Sequence, residues 1–124
     1  MTPYNMCILK GFPTALKSKT SFPFGVWFAS PTVLYVADEG NGDNTFANGE
    51  YTTAAGQKTA GLQKWVLKSG TWTRQYTLQA GLNLGQPYGV SGYPGGSNPV
   101  TALPWAPATD GLRNITGAVN PTAR

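Results

Sequence analysis

Acidic side chains are concentrated in one stretch of this 124-residue chain. Of its five acidic residues, four lie in the loop Asp38–Glu50, which also contains Glu39 and Asp43. Like charges held on one loop repel each other unless a cation neutralises them, and carboxylate oxygens are hard ligands of the kind that Ca²⁺ prefers. Intervening glycine and asparagine residues let the backbone wrap around an ion. The pattern therefore predicts a calcium site on this loop.

The spacing of the oxygen-bearing side chains supports the same prediction. The twelve residues from Glu39 to Glu50 carry such side chains at the first, third, fifth and last positions. An EF-hand loop also uses these positions, but it has Asp first and Gly sixth and lies between two helices. Here the flanking segments read as strands, so we predict the ligand spacing without that motif. A solvated loop that stays polar for solubility is the alternative. The expected metal ligands are Asp38, Glu39, Asn41, Asp43 and Glu50.

Other kinds of active site are excluded by composition. The chain has no histidine, which removes Ser-His-Asp and Cys-His nucleophiles and every histidine-ligated zinc or iron site. Cys7 is the only cysteine, so neither an internal disulfide nor a tetrathiolate site can form. The fifth acid, Asp110, either forms a turn with a local contact to Arg113 or supplies a second carboxylate facing the acidic loop.

The distribution of charge and of apolar residues argues against nucleic acid and membranes as partners. The net charge is +4, but the nine basic residues are scattered from Lys10 to Arg124 and form no stripe. No segment approaches the roughly 20 apolar residues that a membrane helix needs. The first twenty residues also lack the continuous apolar stretch of a signal peptide. We therefore predict binding neither to nucleic acid nor to a membrane.

The elements that hold these residues should be short strands joined by turns. Sixteen Gly, ten Pro and only 11% charged residues are typical of a single all-β domain over residues 1–124. Two apolar segments, Gly25–Ala29 and Val33–Ala37, flank Ser30-Pro31-Thr32 and predict two adjacent antiparallel strands. Both faces of Val33–Ala37 are apolar, so we expect this strand to be covered on both sides.

The clearest local signal is a hairpin from Leu62 to Leu78. Ser69-Gly70 lies between two alternating segments, and Gly70 can adopt the positive φ of a tight turn. The register that follows buries an aromatic face, with a sugar-stacking platform as the alternative role for Trp65 and Trp72. The predicted pairs are Leu67 with Trp72, Trp65 with Arg74, and Gln63 with Tyr76.

Four strands in up-and-down order correspond to one blade of a β-propeller. We expect an irregular lead-in over residues 1–21 with a short strand at Cys7–Lys10, and a blade over residues 22–80. Gln86–Val90 echoes Phe22–Val26, which predicts a partial second blade over residues 81–124 with a strand at Leu112–Val119. Such an incomplete propeller leaves open blade faces.

Open blade faces predict self-association, because a second copy can cover what missing neighbours would cover in a full ring. The expected seam comprises Gly25–Phe28 and Trp72–Leu78.

Several motifs carry a resemblance to known proteins. Between Cys7 and Gly117 the chain resembles a family of bacterial extracytoplasmic β-propeller proteins, and Leu34–Asp38 resembles the second-strand motif of NHL-type blades. The wider relatives of those blades include gluconolactonases and paraoxonases, which are calcium-dependent hydrolases of lactones and esters. The motifs are Phe22–Trp27, Leu34–Gly40, Gly61–Trp65 and Pro107–Arg113.

The resemblance implies a location outside the cytoplasm and a Ca²⁺-assisted hydrolysis of lactones or esters, acyl-homoserine lactones among them. In that case Asp38 and Asp110 are the expected catalytic carboxylates, beside a metal that polarises a carbonyl and lowers the pKa of a water. The alternative is a non-enzymatic binding or structural module, in which a cation stabilises the acidic loop and exposed aromatic residues contact a partner or a glycan.

Overall fold

The structure is a computed structural model that describes residues 8–14, 21–40, 46–47, 50–51, 59–86, 89–92, 96–106 and 110–121, the two short pairs by backbone alone. These residues form strands and no helix, which confirms the all-β prediction for the described part of the chain. Nothing in that part is a helix long and apolar enough to cross a membrane. The strands are β1 Pro23–Ser30, β2 Val33–Asp38, β3 Phe46–Ala47, β4 Glu50–Tyr51, β5 Gly61–Lys68 and β6 Thr71–Leu78.

Four of these strands form one antiparallel sheet in the order β1-β2-β5-β6. Neighbours in the sheet follow one another along the chain, apart from the small β3–β4 pair inserted after β2, so the predicted up-and-down order is confirmed. β1 begins at Pro23, before the predicted start at Gly25, because the ladder to β2 extends to a pairing of Pro23 with Asp38. Asp38 therefore lies at the last rung of the sheet.

The β5–β6 hairpin turns at Ser69-Gly70, where both residues have positive φ, 48° and 75°. Two central residues of this kind match the twist of the flanking strands. The predicted pairs Leu67–Trp72 and Trp65–Arg74 are confirmed.

The third predicted pair of this hairpin, Gln63 with Tyr76, is wrong. Gln63 pairs with Thr77, and Tyr76 pairs with Lys64, because the register shifts between Lys64 and Trp65. A shift of one residue moves a side chain to the other face of the sheet. Tyr76 consequently projects from the other face of the sheet, away from Trp65 and Trp72, and it is half exposed.

One side of the sheet, the inner face, carries the hydrophobic core. Leu34, Val36, Trp65 and Trp72 are buried there, and the ring of Phe12 stacks on Trp65 at 3.9 Å between centroids. Trp65 is 3% exposed and Trp72 6%, so the prediction of a buried aromatic face is confirmed and neither ring is open to a sugar.

The lead-in contributes to this core without forming the strand expected at Cys7–Lys10. Ile8–Lys10, the described part of that segment, is irregular. The carbonyl of Lys10 accepts a hydrogen bond from the backbone N–H of Trp72 at 2.7 Å. A Cβ at Gly11 would collide with the Trp72 carbonyl, so glycine permits this close approach.

The opposite side, the outer face, is crossed by residues 110–121, which we call the C-terminal strap. The strand predicted at Leu112–Val119 is wrong, because this segment forms no strand. A Cβ on Gly25 would lie 2.6 Å from the Arg113 carbonyl, and a Cβ on Gly117 would lie 2.7 Å from the Trp27 ring. The strap thus packs on the face of β1 instead of along its edge. The backbone N–H and C=O groups of a strand point sideways within the sheet, so a segment on the face cannot pair with them as a strand does.

The region after Leu78 has little regular structure in its described residues. Its pairings there are two isolated antiparallel bridges, Val90 with Trp105 and Ser97 with Pro104. A partial second blade over residues 81–124 therefore stays a prediction.

Candidate functional site

Asp38 lies at the end of β2 with no exposed surface. Its Oδ2 accepts hydrogen bonds from the backbone N–H of Phe22 at 2.8 Å and from Gln63 Nε2 at 2.7 Å. Its Oδ1 accepts one from the backbone N–H of Gly40 at 2.9 Å. One carboxylate thereby connects three parts of the fold: the residue before β1, Gln63 on β5 and the turn after β2.

The hydrogen bonds continue from Asp38 into the core. Gln63 Nε2 also donates to the Thr59 carbonyl at 2.6 Å, and Gln63 Oε1 accepts from Trp65 Nε1 at 2.7 Å. Gln63 and Trp65 are two residues apart on β5 and so project from the same face. Asp38, Gln63 and Trp65 form a buried polar chain in which each side chain has a partner, as stable interiors require.

Burial is the largest influence on the acidity of Asp38. It raises the pKa of this carboxyl above its ordinary value of 3.8, against the hydrogen bonds from Gly40, Phe22 and Gln63 and the positive charge of Arg74. Raised pKa values occur at active sites and also in structural networks. The Asp38 carboxylate is enclosed by hydrogen-bond donors of the protein, which is typical of a structural network.

Glu39, the next acid, points into a different environment. It forms an ion pair with Arg113 at 3.2 Å from Oε2 to Nε, with side chains 35% and 73% exposed. The contact expected between Asp110 and Arg113 is wrong, because the ion pair found among the described residues joins Arg113 to Glu39. The strap lies over β1, and the ion pair brings Arg113 to the end of β2, at the corner where β1, β2 and β5 meet.

Asp110 reaches the same corner through its backbone. A Cβ on Gly40 would lie 3.2 Å from the Asp110 carbonyl, and the N–H of Leu112 donates to the Asp38 carbonyl at 2.8 Å. Gly111 lies so close to Asp38 and Glu39 that a Cβ there would overlap their backbone. The structure thus brings the backbone of Asp110 to the corner that Asp38 occupies, while the catalytic role of both residues stays a prediction.

The remaining predicted ligands are Asn41, Asp43 and Glu50. Asn41 and Asp43 fall outside the described residues, and Glu50 is described only by its backbone pairing with Ala47. Within the described ranges, no three or more acidic or cysteine side chains form a group that could hold a metal ion. Asp38 and Glu39 already have protein partners. A calcium site on this loop stays a prediction, and it would depend on Asn41, Asp43 and Glu50.

A second candidate site lies on the outer face, and the sequence analysis missed it. A groove of about 420 Å³ opens between the sheet and the strap. The rings of Trp27 and Tyr35 are among its lining residues and lie 5.7 Å apart between centroids. The pairing of Trp27 with Tyr35 could be predicted from the register of the first hairpin, but the path of the strap could not. The full lining is Trp27, Ala29, Tyr35, Leu62, Ile115, Ala118, Val119 and Asn120.

A lysine and a second tyrosine stand beside this groove. Lys64 Nζ lies 6.0 Å from the centroid of Tyr35 and 5.9 Å from that of Tyr76, at the limit of cation–π attraction. Partial burial and then a hydrogen bond with Tyr35 raise the pKa of Tyr76 above its ordinary value of 10. Tyr76 is therefore neutral at physiological pH, and Lys64 supplies the charge.

Comparison of the chain with protein-family models, with curated proteins and with solved structures finds no match. Function must be argued from the two sites themselves.

Proposed function

We propose that this chain is a non-enzymatic binding and structural module built on one β-propeller-type blade, with the acidic loop as a stabilising cation site. The four-stranded meander supports the blade. The observation that carries the proposal is the enclosure of Asp38, whose two carboxylate oxygens accept three hydrogen bonds while no part of the residue is exposed.

The enclosure of Asp38 argues against a chemical role for its carboxylate. A general base must come within hydrogen-bond reach of the proton that it removes, either directly or through one water. If Asp38 bound a metal ion, its carboxylate would have to release some of its hydrogen-bond donors. Each buried N–H group left unpaired would cost about 1–3 kcal/mol. Asp38 instead stabilises the corner at which β1, β2 and β5 meet.

The edges of the sheet support self-association of such modules. β1 and β6 are the edge strands. Val26 and Phe28 on β1 are more than half exposed, and Tyr76 and Leu78 on β6 are nearly half exposed. A second copy seated on Gly25–Phe28 or Trp72–Leu78 would cover them. An extracytoplasmic location remains part of the proposal through the family resemblance.

Ca²⁺-assisted hydrolysis of lactones or esters is the second candidate function. One observation favours it: the strap brings Asp110 beside Gly40, at the start of the acidic loop. In that scheme Asp110 would be the free carboxylate, since Asp38 is committed to its donors.

Turnover of a panel of lactones and esters, including acyl-homoserine lactones, separates the two functions. The assay is run with Ca²⁺ and with a chelator, on the wild type and on Asp110→Asn. The binding module predicts no turnover above buffer in any arm. Turnover that the chelator abolishes and that Asp110→Asn lowers, in a variant that melts like the wild type, would overturn the proposal in favour of the hydrolase.

A further inference from the structure

The groove on the outer face combines an aromatic lining with an adjacent lysine, Lys64, that has no ion-pair partner among the described residues. We propose that it binds a small organic anion with an aromatic body, the body lying in the groove that Trp27 and Tyr35 help to line and the acidic group near Lys64. This inference rests on the proposed binding function and names its ligand class.

The shape and lining of the groove suit an apolar ring system. It is an open groove of about 420 Å³. Most of the lining is aliphatic or aromatic, and the rings of Trp27 and Tyr35 lie at 31° to each other. Aromatic side chains favour offset-stacked or edge-to-face contacts with another ring.

The charge beside the groove suits an anion. Lys64 stands two residues from Leu62 on the same face of β5, and Leu62 lines the groove. Among the described residues, Lys64 makes no ion pair, and its Nζ lies near the rings of Tyr35 and Tyr76. Of the acidic side chains that the structure describes at this end of the sheet, Asp38 points to the inner face and Glu39 is paired with Arg113. A ligand carboxylate at the groove would form an ion pair with Lys64.

The groove is held in shape before any ligand arrives. Its outer wall is the strap, which is tied to the sheet by the Leu112 N–H to the Asp38 carbonyl and by the Glu39–Arg113 ion pair. Gly117 fixes the distance between this wall and the Trp27 ring. A preformed cleft loses less ordering entropy on binding than one that must assemble.

Two matched probes test the ligand class: indole-3-acetate, an aromatic carboxylate, and indole-3-acetamide, its neutral counterpart. Each is titrated into the protein and followed by NMR amide shifts, with methyl β-glucoside as the sugar arm. We expect saturable shifts for the acetate centred on the lining residues, weaker binding of the acetamide, and no response to the glucoside.

Two pairs of variants locate the contacts. Lys64→Gln should weaken acetate binding by about two- to fivefold, the effect of one half-exposed charge pair, and leave the acetamide unchanged. Lys68→Gln, further along the same face of β5, should change neither. Ala118→Trp should fill the groove and abolish both titrations, whereas Asn114→Trp, on the strap but outside the lining, should preserve them.

The proposal is overturned if acetate and acetamide bind equally well, if Ala118→Trp leaves the shifts intact, or if the glucoside binds in their place. None of these results depends on turnover. A hydrolase result in the lactone assay would therefore refute the non-enzymatic function without touching the groove, and an empty groove would refute this inference without making the chain an enzyme.

Discussion

The two faces of the sheet are both aromatic, and they differ in how completely their groups are partnered. On the inner face, Trp65 and Trp72 are covered, and the polar atoms of Asp38 and Gln63 are hydrogen-bonded within the protein. On the outer face, a groove remains between the sheet and the strap, and Lys64 has no counter-charge among the described residues. Aromatic content alone therefore does not distinguish the two faces, whereas the partnering of Asp38, Gln63 and Lys64 does.

A single strand serves both faces. Along β2, Leu34, Val36 and Asp38 point inward, while Tyr35 and Ala37 point outward, as strand alternation requires. The carboxylate that holds the corner and the ring that lines the groove are thus three residues apart on one rigid element. A change to the corner should be felt at the groove through β2 and through the strap.

The largest effect should come from the inner face. Trp72→Ala removes a nearly buried ring and should lower the free energy of unfolding by about 3–5 kcal/mol. Lys68→Ala, at an exposed position of the same hairpin, should change it by less than about 0.5 kcal/mol. Urea unfolding followed by fluorescence measures both. If Trp72→Ala unfolds like the wild type, the inner face is not the core and the contrast between faces fails.

The next effect should come from breaking the buried polar chain. Gln63→Leu removes a donor from Asp38 and the acceptor of Trp65 Nε1, and should cost on the order of 2–3 kcal/mol. Gln75→Leu, an exposed position on β6, is the matched control and should be nearly neutral. Equal unfolding free energies for the two variants would show that the buried hydrogen bonds of Gln63 contribute nothing to stability.

A smaller effect should come from displacing the strap from the end of β2. Gly111→Ala places a Cβ against the backbone of Asp38 and Glu39 and should cost about 1–3 kcal/mol. Gly89→Ala, where a Cβ meets nothing within 4 Å, is the control. Gly111→Ala should also reduce indole-3-acetate binding. A variant that loses stability while its groove titrates normally would show that strap and groove are independent.

The pH dependence should report the cost of burying Asp38. Because burial raises its pKa in the folded state above 3.8, the folded protein holds this proton more tightly than the unfolded chain does. Stability from this group is fully present below that value and is lost as the pH rises through the folded pKa. The advantage of the wild type over Asp38→Asn in urea unfolding should therefore shrink as the pH rises from below 3.8 through the folded pKa. An advantage that grows would mean that the hydrogen bonds outweigh burial.

The sequence was informative where local rules decide the structure. Alternation and Ser69-Gly70 predicted the hairpin and the burial of Trp65 and Trp72, since turn chemistry sets the register from the turn outward. The shift between Lys64 and Trp65 was not predictable, because a bulge adds a residue without changing the alternating pattern near the turn. Tyr76 was placed on the wrong face for that reason alone.

The candidate sites were predictable to different degrees. Clustering of acids identified Asp38, but its partners Phe22, Gln63 and Gly40 are up to 25 residues away, and only the folded sheet brings them together. The outer groove needs the strap, an irregular segment whose path is set by close backbone approaches at Gly111 and Gly117. No periodicity in the sequence encodes such a path.

Thermal unfolding of the wild type and Asp38→Asn, each in Ca²⁺ and in chelator, tests the central claim most directly. Either orientation of an Asn amide would turn its NH₂ group toward an N–H donor, so Asp38→Asn should lower Tm by roughly 5–15 °C. Ca²⁺ should raise Tm by mass action through Asn41, Asp43 and Glu50. If Asp38 is structural, its substitution lowers Tm equally in both conditions. An Asp38→Asn protein that melts like the wild type in chelator and no longer responds to Ca²⁺ would contradict the account and make Asp38 a metal ligand.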